Sequence, residues 1–245
     1  MRKETAPCHP FANRLEWPAT NRRQTAFLGP YPSYSRGERI ADNCIHALGV
    51  SAGLVGAVVL AVAATRQDNA LLVPGVLLYG LGLIAMLGFS ALYNITKPSP
   101  RKGLFRRLDH AAIFVMIAGS YTPFALNGLG GAWGHGLLAF VWVVALAGTA
   151  LKLFVPRRVR RFSTALYLLL GWSGVVALEP LFGNLPVPAI VLLATGGALY
   201  SLGVVFHHWQ RLPYQNAIWH GLVLAAAGCH YGAILGGVVL AGRVA

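Results

Sequence analysis

Seven long stretches of mostly apolar residues, separated by short polar breaks, dominate the chain from residue 43 onward. They run over 43–64, 71–95, 110–126, 132–155, 162–178, 187–206 and 216–240. A helix needs about 20 predominantly apolar residues to cross the hydrocarbon core, where all its backbone polar groups must be satisfied internally. The pattern therefore predicts an all-α, polytopic membrane protein built as a seven-transmembrane-helix bundle. The breaks at 66–69, 97–100, 127–131, 156–158, 179–180 and 210–213 carry the Gly, Pro, Asn and Asp chemistry of loops. In the last window Gly228, Gly232 and Gly236 are spaced to suit close packing between helices.

Composition sharpens this picture. With 56% of residues hydrophobic and only 11% charged, the chain cannot cover the surface of a soluble globule. The net charge of +13 would by itself also fit a nucleic-acid binder. Its placement decides otherwise: 18 of the 20 Lys and Arg fall before the first window or in alternate connections, leaving Arg66 and Arg243 on the other side. Basic residues flanking spans favour the cytosol, so the amino terminus is predicted inside and the carboxyl terminus outside. The positive charge is thereby accounted for as topology signals, and no nucleic-acid partner is expected.

Two regions follow, a basic cytosolic tail over 1–37 and a seven-helix membrane domain over 38–245. The first forty residues hold no uninterrupted apolar run, so no cleavable signal peptide is expected, and the tail is predicted to be poorly ordered. Cys8, Cys44 and Cys229 are too few and too scattered for a disulfide framework or a cysteine-based zinc module.

Polar residues inside a span are costly and each becomes a functional candidate. With the topology fixed, Asp42 and His46, Ser90 and Asn94, Asp109 and His110, His207 and His208, and Asn216 and His220 all fall at one level, the inner third of the bilayer. Ser90 and Asn94, like Asn216 and His220, are four apart and share a helix face. Asp42 and Asp109 sit in or before first helical turns, where the helix dipole alone would favour a carboxylate. His230 lies ten residues beyond His220, about 15 Å along the helix, and reads as a packed, hydrogen-bonded histidine.

The strings Ser90-Ala-Leu-Tyr-Asn94, Arg107-Leu-Asp-His110 continuing to Ala118-Gly-Ser-Tyr-Thr-Pro123, and Arg211-Leu-Pro-Tyr-Gln-Asn-Ala-Ile-Trp-His220 resemble the hemolysin III family. That family is the bacterial branch of the progestin and adipoQ receptor superfamily. The stretch from Tyr34 through Glu38 and Asp42 to His46 is similar to its first-helix start. The resemblance implies a zinc ion near the cytosolic side, held by one histidine of the second helix and two of the seventh. On this chain those positions are Asn94, Asn216 and His220, with Ser90 and Asp109 in the catalytic roles of holding or activating a zinc-bound water. Two of the three expected imidazoles are thus carboxamides, which are weak zinc ligands. His46 is the next donor at that depth should a metal be held.

From the resemblance we expect a multi-pass protein of the bacterial inner membrane whose partner is membrane lipid, in a lipid-sensing or membrane-homeostasis role built around a degraded zinc site. The alternatives are a metal-dependent hydrolase of lipid amides or esters, and a pore-forming cytolysin. The windows offer no obvious charged conduction path for the last.

Overall fold

The computed structural model describes residues 34–155 and 162–241. The expected tail up to residue 33, the break at 156–158 and Arg243 lie outside them. All regular structure among the described residues is helical. The helices are α1 (Arg36–Ala64), α2 (Leu72–Ile95), α3 (Pro100–Pro123), α4 (Gly131–Phe154), α5 (Ser163–Trp172), α6 (Leu178–Asn184), α7 (Val187–His208) and α8 (Gln215–Ile234). Widened π-type turns over Phe124–Leu129 and Leu235–Val239 extend α3 and α8, and a 3₁₀ turn over Ser173–Ala177 joins α5 to α6. Seven segments are long and apolar enough to span a bilayer.

Two helices begin earlier than the apolar windows suggest, and local chemistry explains both. Ser35 caps α1 in a reciprocal box: its hydroxyl accepts from Glu38 N–H at 3.2 Å while the Glu38 carboxylate accepts from Ser35 N–H at 2.7 Å. Ser99 caps α3 with Pro100 in the first turn, where a missing N–H costs nothing. Asp42 and Asp109 accordingly lie well inside α1 and α3, correcting their expected placement at first turns.

The break expected at Glu179-Pro180 is also corrected: both residues form the first turn of α6, so the fifth span runs over Ser163–Asn184. It is continuous because Tyr121 of α3 supports its 3₁₀ turn. The Tyr121 hydroxyl lies 2.6 Å from the Gly171 carbonyl, to which it donates, and accepts from Gly174 N–H at 2.7 Å. The break after α3 is narrower than the expected 127–131: the widened turns run to Leu129, and the chain redirects at Gly130 and Gly131, which take positive φ of 60° and 52°. Of the three glycines marked for packing, only Gly232 meets a neighbour, Leu192; Gly228 and Gly236 face open space.

Apolar side chains cover the outside. Val143, Leu169 and Val176 are 67%, 71% and 70% exposed, as a lipid-facing surface requires. Inside, Leu60, Tyr79, Phe114, Val141 and Ile234 are fully buried. Polar groups concentrate at one end of the bundle, where α1, α3 and α8 begin and α2 and α7 end; we call it the basic end after the Lys97–Arg107 connection.

Candidate metal centre

At the basic end α1, α2 and α8 converge. The start of α1 is tied to the α7–α8 turn, because Glu38 Oε1 accepts from Tyr214 N–H at 2.9 Å. Tyr214 itself adopts φ 59°, a left-handed conformation that side chains rarely take, and Gln215 anchors the other flank by donating to the His207 carbonyl at 3.0 Å. These contacts set the register of α1 against α8. One turn further in, Asp42 and His46 occupy the face of α1 that meets Asn216 and His220 on α8.

The carboxylate of Asp42 is the hub. His220 Nδ1 lies 2.6 Å from its Oδ1, and the Asn216 amide donates to its Oδ2 at 2.9 Å. His46 Nε2 is 3.5 Å from the same Oδ2. Asn216 also donates to Asn94 Oδ1 at 3.2 Å, and Asn94 in turn donates to the Ser90 carbonyl at 2.9 Å. The Ser90 hydroxyl is 3.5 Å from His220 Nε2. The His46 and His220 rings have centroids 4.4 Å apart. Asp42 and His46 are each only 6% exposed. A carboxylate so buried persists only with several polar partners around it, and this one has Asn216 and His220 of α8 and His46 of its own helix. Burial raises the Tyr34 phenol, just outside the first span, above its ordinary value, and the Asp42 and Glu38 charges add to the shift.

Ser90, Asn94, Asn216 and His220, the positions singled out in the sequence, therefore meet in one network. Asp109 lies on α3. Its carboxylate is 3.2 Å from His110 Nδ1, and among the described residues it makes no hydrogen bond to the Asp42 network.

The zinc implied by the resemblance fits poorly at Asn94 and Asn216, whose amide groups are engaged with each other, Asp42 and Ser90. A different donor set is present. Asp42, His46 and His220 could hold a metal ion, each offering one ligand atom, with these atoms all within 4.8 Å of one another. His46 Nε2 is sealed from solvent and has no hydrogen-bond partner among the described residues, which is the state of a nitrogen left for a ligand bond. Two imidazoles and a carboxylate form a donor set that suits zinc and similar divalent ions, and Asn216 would orient the carboxylate from behind. The sequence resemblance does not place Asp42 among the metal ligands. The missed signal is Ser35-x-x-Glu38: a capping box there starts the helix seven residues before the apolar window and turns Asp42 and His46 into another i, i+4 pair.

Comparison with known proteins agrees with this architecture. The model of the family described as Haemolysin-III related matches residues 39–231. Hemolysin-3 of Bacillus cereus is 38% identical over 199 residues, covering 81% of this chain and 90% of that protein. The Hemolysin-3 homolog of Bacillus subtilis is 34% identical over 198 residues, covering 81% and 93%. The human monocyte to macrophage differentiation factor is 31% identical over 166 residues, covering 64% and 67%. No solved structure matches the chain. With its seven apolar helices and this match over most of its length, the chain belongs to the hemolysin III family of the progestin and adipoQ receptor superfamily.

Proposed function

We propose that this protein is a lipid-responsive membrane protein of the bacterial inner membrane, in which Asp42, His46 and His220 hold a divalent metal at the cytosolic side. The observation that carries the reading is the buried three-donor group in which His46 Nε2 has no other partner. The family's zinc position has in effect moved by one helix: α1 supplies the donors that α2 and the start of α8 lack here. When bound, the metal supplies a Lewis-acidic point of attachment for a polar lipid headgroup. The protein's own residues hold that group in place: Asn216 fixes the carboxylate, and Ser90 and Asn94 offer hydrogen bonds from α2. The 18-to-2 division of basic residues supports placing this end in the cytosol.

One observation favours a hydrolase of lipid amides or esters as a second reading. The Ser90 hydroxyl stands beside His220 Nε2, 3.5 Å away, so a polarised carbonyl bound there would have a hydroxyl donor for its developing charge. Asp109, one helix away, is the candidate for handling a water.

The test is metal analysis of detergent-purified protein beside Asp42→Ala, His46→Ala and His220→Ala, each checked for monodispersity. About one divalent ion per chain, lost in all three variants, is expected. A folded, metal-free wild-type protein after incubation with zinc, manganese and iron(II) would overturn the proposed centre.

A further inference from the structure

A second polar cluster lies deep in the bundle, away from the metal centre. Tyr79 of α2, Tyr200 of α7 and His230 of α8 each bury a polar side-chain atom that has no hydrogen-bond partner among the described residues: Tyr79 Oη, Tyr200 Oη and His230 Nε2. His230 and Tyr200 meet edge to face with ring centroids 5.5 Å apart, and Tyr79 lies within electrostatic reach of Tyr200. Along α8, His230 is ten residues from His220, and along α2, Tyr79 is eleven from Ser90, so both helices place the cluster about 15 Å from the metal centre. Between the two lies an apolar layer. Leu83, Met86, Leu87 and Ala227 are buried there, and Gly49 of α1 lets Leu87 and Leu224 pack against its backbone.

Three unpartnered polar atoms in one region are unusual in any interior, and in a bilayer no bulk water stands by to satisfy them. The hydrogen-bonding chemistry of His230 narrows what could. In either tautomer His230 Nε2 needs a partner, as an acceptor when the proton sits on Nδ1 and as a donor when it sits on Nε2. The two phenols can likewise donate or accept. A group that serves Nε2 in both tautomers and a phenol beside it must be able to donate and to accept. A carbonyl cannot donate and an ammonium cannot accept, whereas a hydroxyl does both. The backbone makes room for the imidazole: a Cβ on Gly196 would come 2.3 Å from His230 Cδ2 and 2.7 Å from Nε2.

We propose that Tyr79, Tyr200 and His230 form a mid-membrane site that binds a hydroxyl group, of water or of a neutral lipid alcohol, hydrogen-bonded to His230 Nε2 and to the tyrosine hydroxyls. This site does not depend on the metal centre, and chelation leaves it intact.

Solid-state NMR of the full chain in phospholipid nanodiscs, with ¹⁵N-labelled histidine and EDTA present, tests it. His230 Nε2 should show a proton contact from a non-protein hydroxyl. A contact that exchanges with water identifies water, and one that follows a deuterated monoacylglycerol added as probe identifies a lipid alcohol. No such contact, or a contact from a tyrosine hydroxyl, overturns the proposal. Tyr79→Phe and Tyr200→Phe, which keep ring shape, give an independent sign. Loss of a bound partner lowers Tm by about 2–4 °C for each kcal/mol lost in a chain of this size, whereas removing a hydroxyl that was merely stranded raises it.

Discussion

Glu38 and Tyr214 join the first helix to the turn before the last: a carboxylate oxygen of the former receives the backbone N–H of the latter at 2.9 Å. The same carboxylate closes the cap on Ser35, so one side chain both starts α1 and fixes it against α8. Glu38→Ala leaves the Ser35 hydroxyl cap in place and removes the two bonds the carboxylate accepts, at about 0.5–1.5 kcal/mol each. A greater effect on metal binding than on melting is expected, because Asp42 and His220 are held in register by this contact. Parallel thermal melts and metal titrations of Glu38→Ala would show it; equal binding in the two proteins would mean that register is fixed elsewhere.

Asn216 donates to Asp42 from behind the donor group, the position of an orienting partner. Such partners typically govern about 10–100-fold of metal affinity. Asn216→Ala should weaken binding by that order and leave about one ion per chain at saturation, as competition with a chelator would measure. Loss of stoichiometry would instead make Asn216 a ligand.

Restoring histidine at both Asn94 and Asn216 should let zinc bind at the position the family uses, since three imidazoles and a water make a complete catalytic-type shell. Either single change should do much less. In the double variant, zinc binding should also survive His46→Ala, which abolishes it in the parent chain. Chelator competition on the four proteins distinguishes a moved centre from a lost one.

The Tyr121 hydroxyl serves three backbone groups of the fifth span, at Leu170, Gly171 and Gly174. Tyr121→Phe removes the bonds to Gly171 and Gly174, while Leu170 keeps its bond from the Ser173 hydroxyl, and should destabilise the protein by about 1–3 kcal/mol. A melting curve checks the size, and hydrogen exchange should rise locally over residues 170–177.

Much of this molecule was legible from the chain. The spans could be read because lipid demands long apolar runs, and the meeting of Ser90, Asn94, Asn216 and His220 because four-residue spacing on helices of known direction fixes face and depth. What the pattern missed has a common cause: apolar windows locate the part of a helix in lipid, not the helix. Asp42 and Asp109 looked terminal because α1 and α3 extend into polar sequence under the caps of Ser35 and Ser99. Glu179-Pro180 looked like a loop because proline punctuates chains, yet in a first turn it is compatible with helix. Nor does spacing along one helix reveal which neighbour it meets, so the link between Asp42 and His220 waited on the α1–α8 contact.

The apolar layer of Leu83, Met86, Leu87, Leu224 and Ala227 has a consequence for permeation. An ion crossing it would shed its hydration with no polar group in reach, against an idealised self-energy of order 20 kcal/mol. Charge does not pass readily between two polar stations separated in this way, although a low-dielectric layer screens their fields less than water would. Vesicles carrying the purified protein should therefore hold a pH gradient as long as protein-free vesicles do, and dye-monitored decay of that gradient would reveal any conductance the layer fails to block.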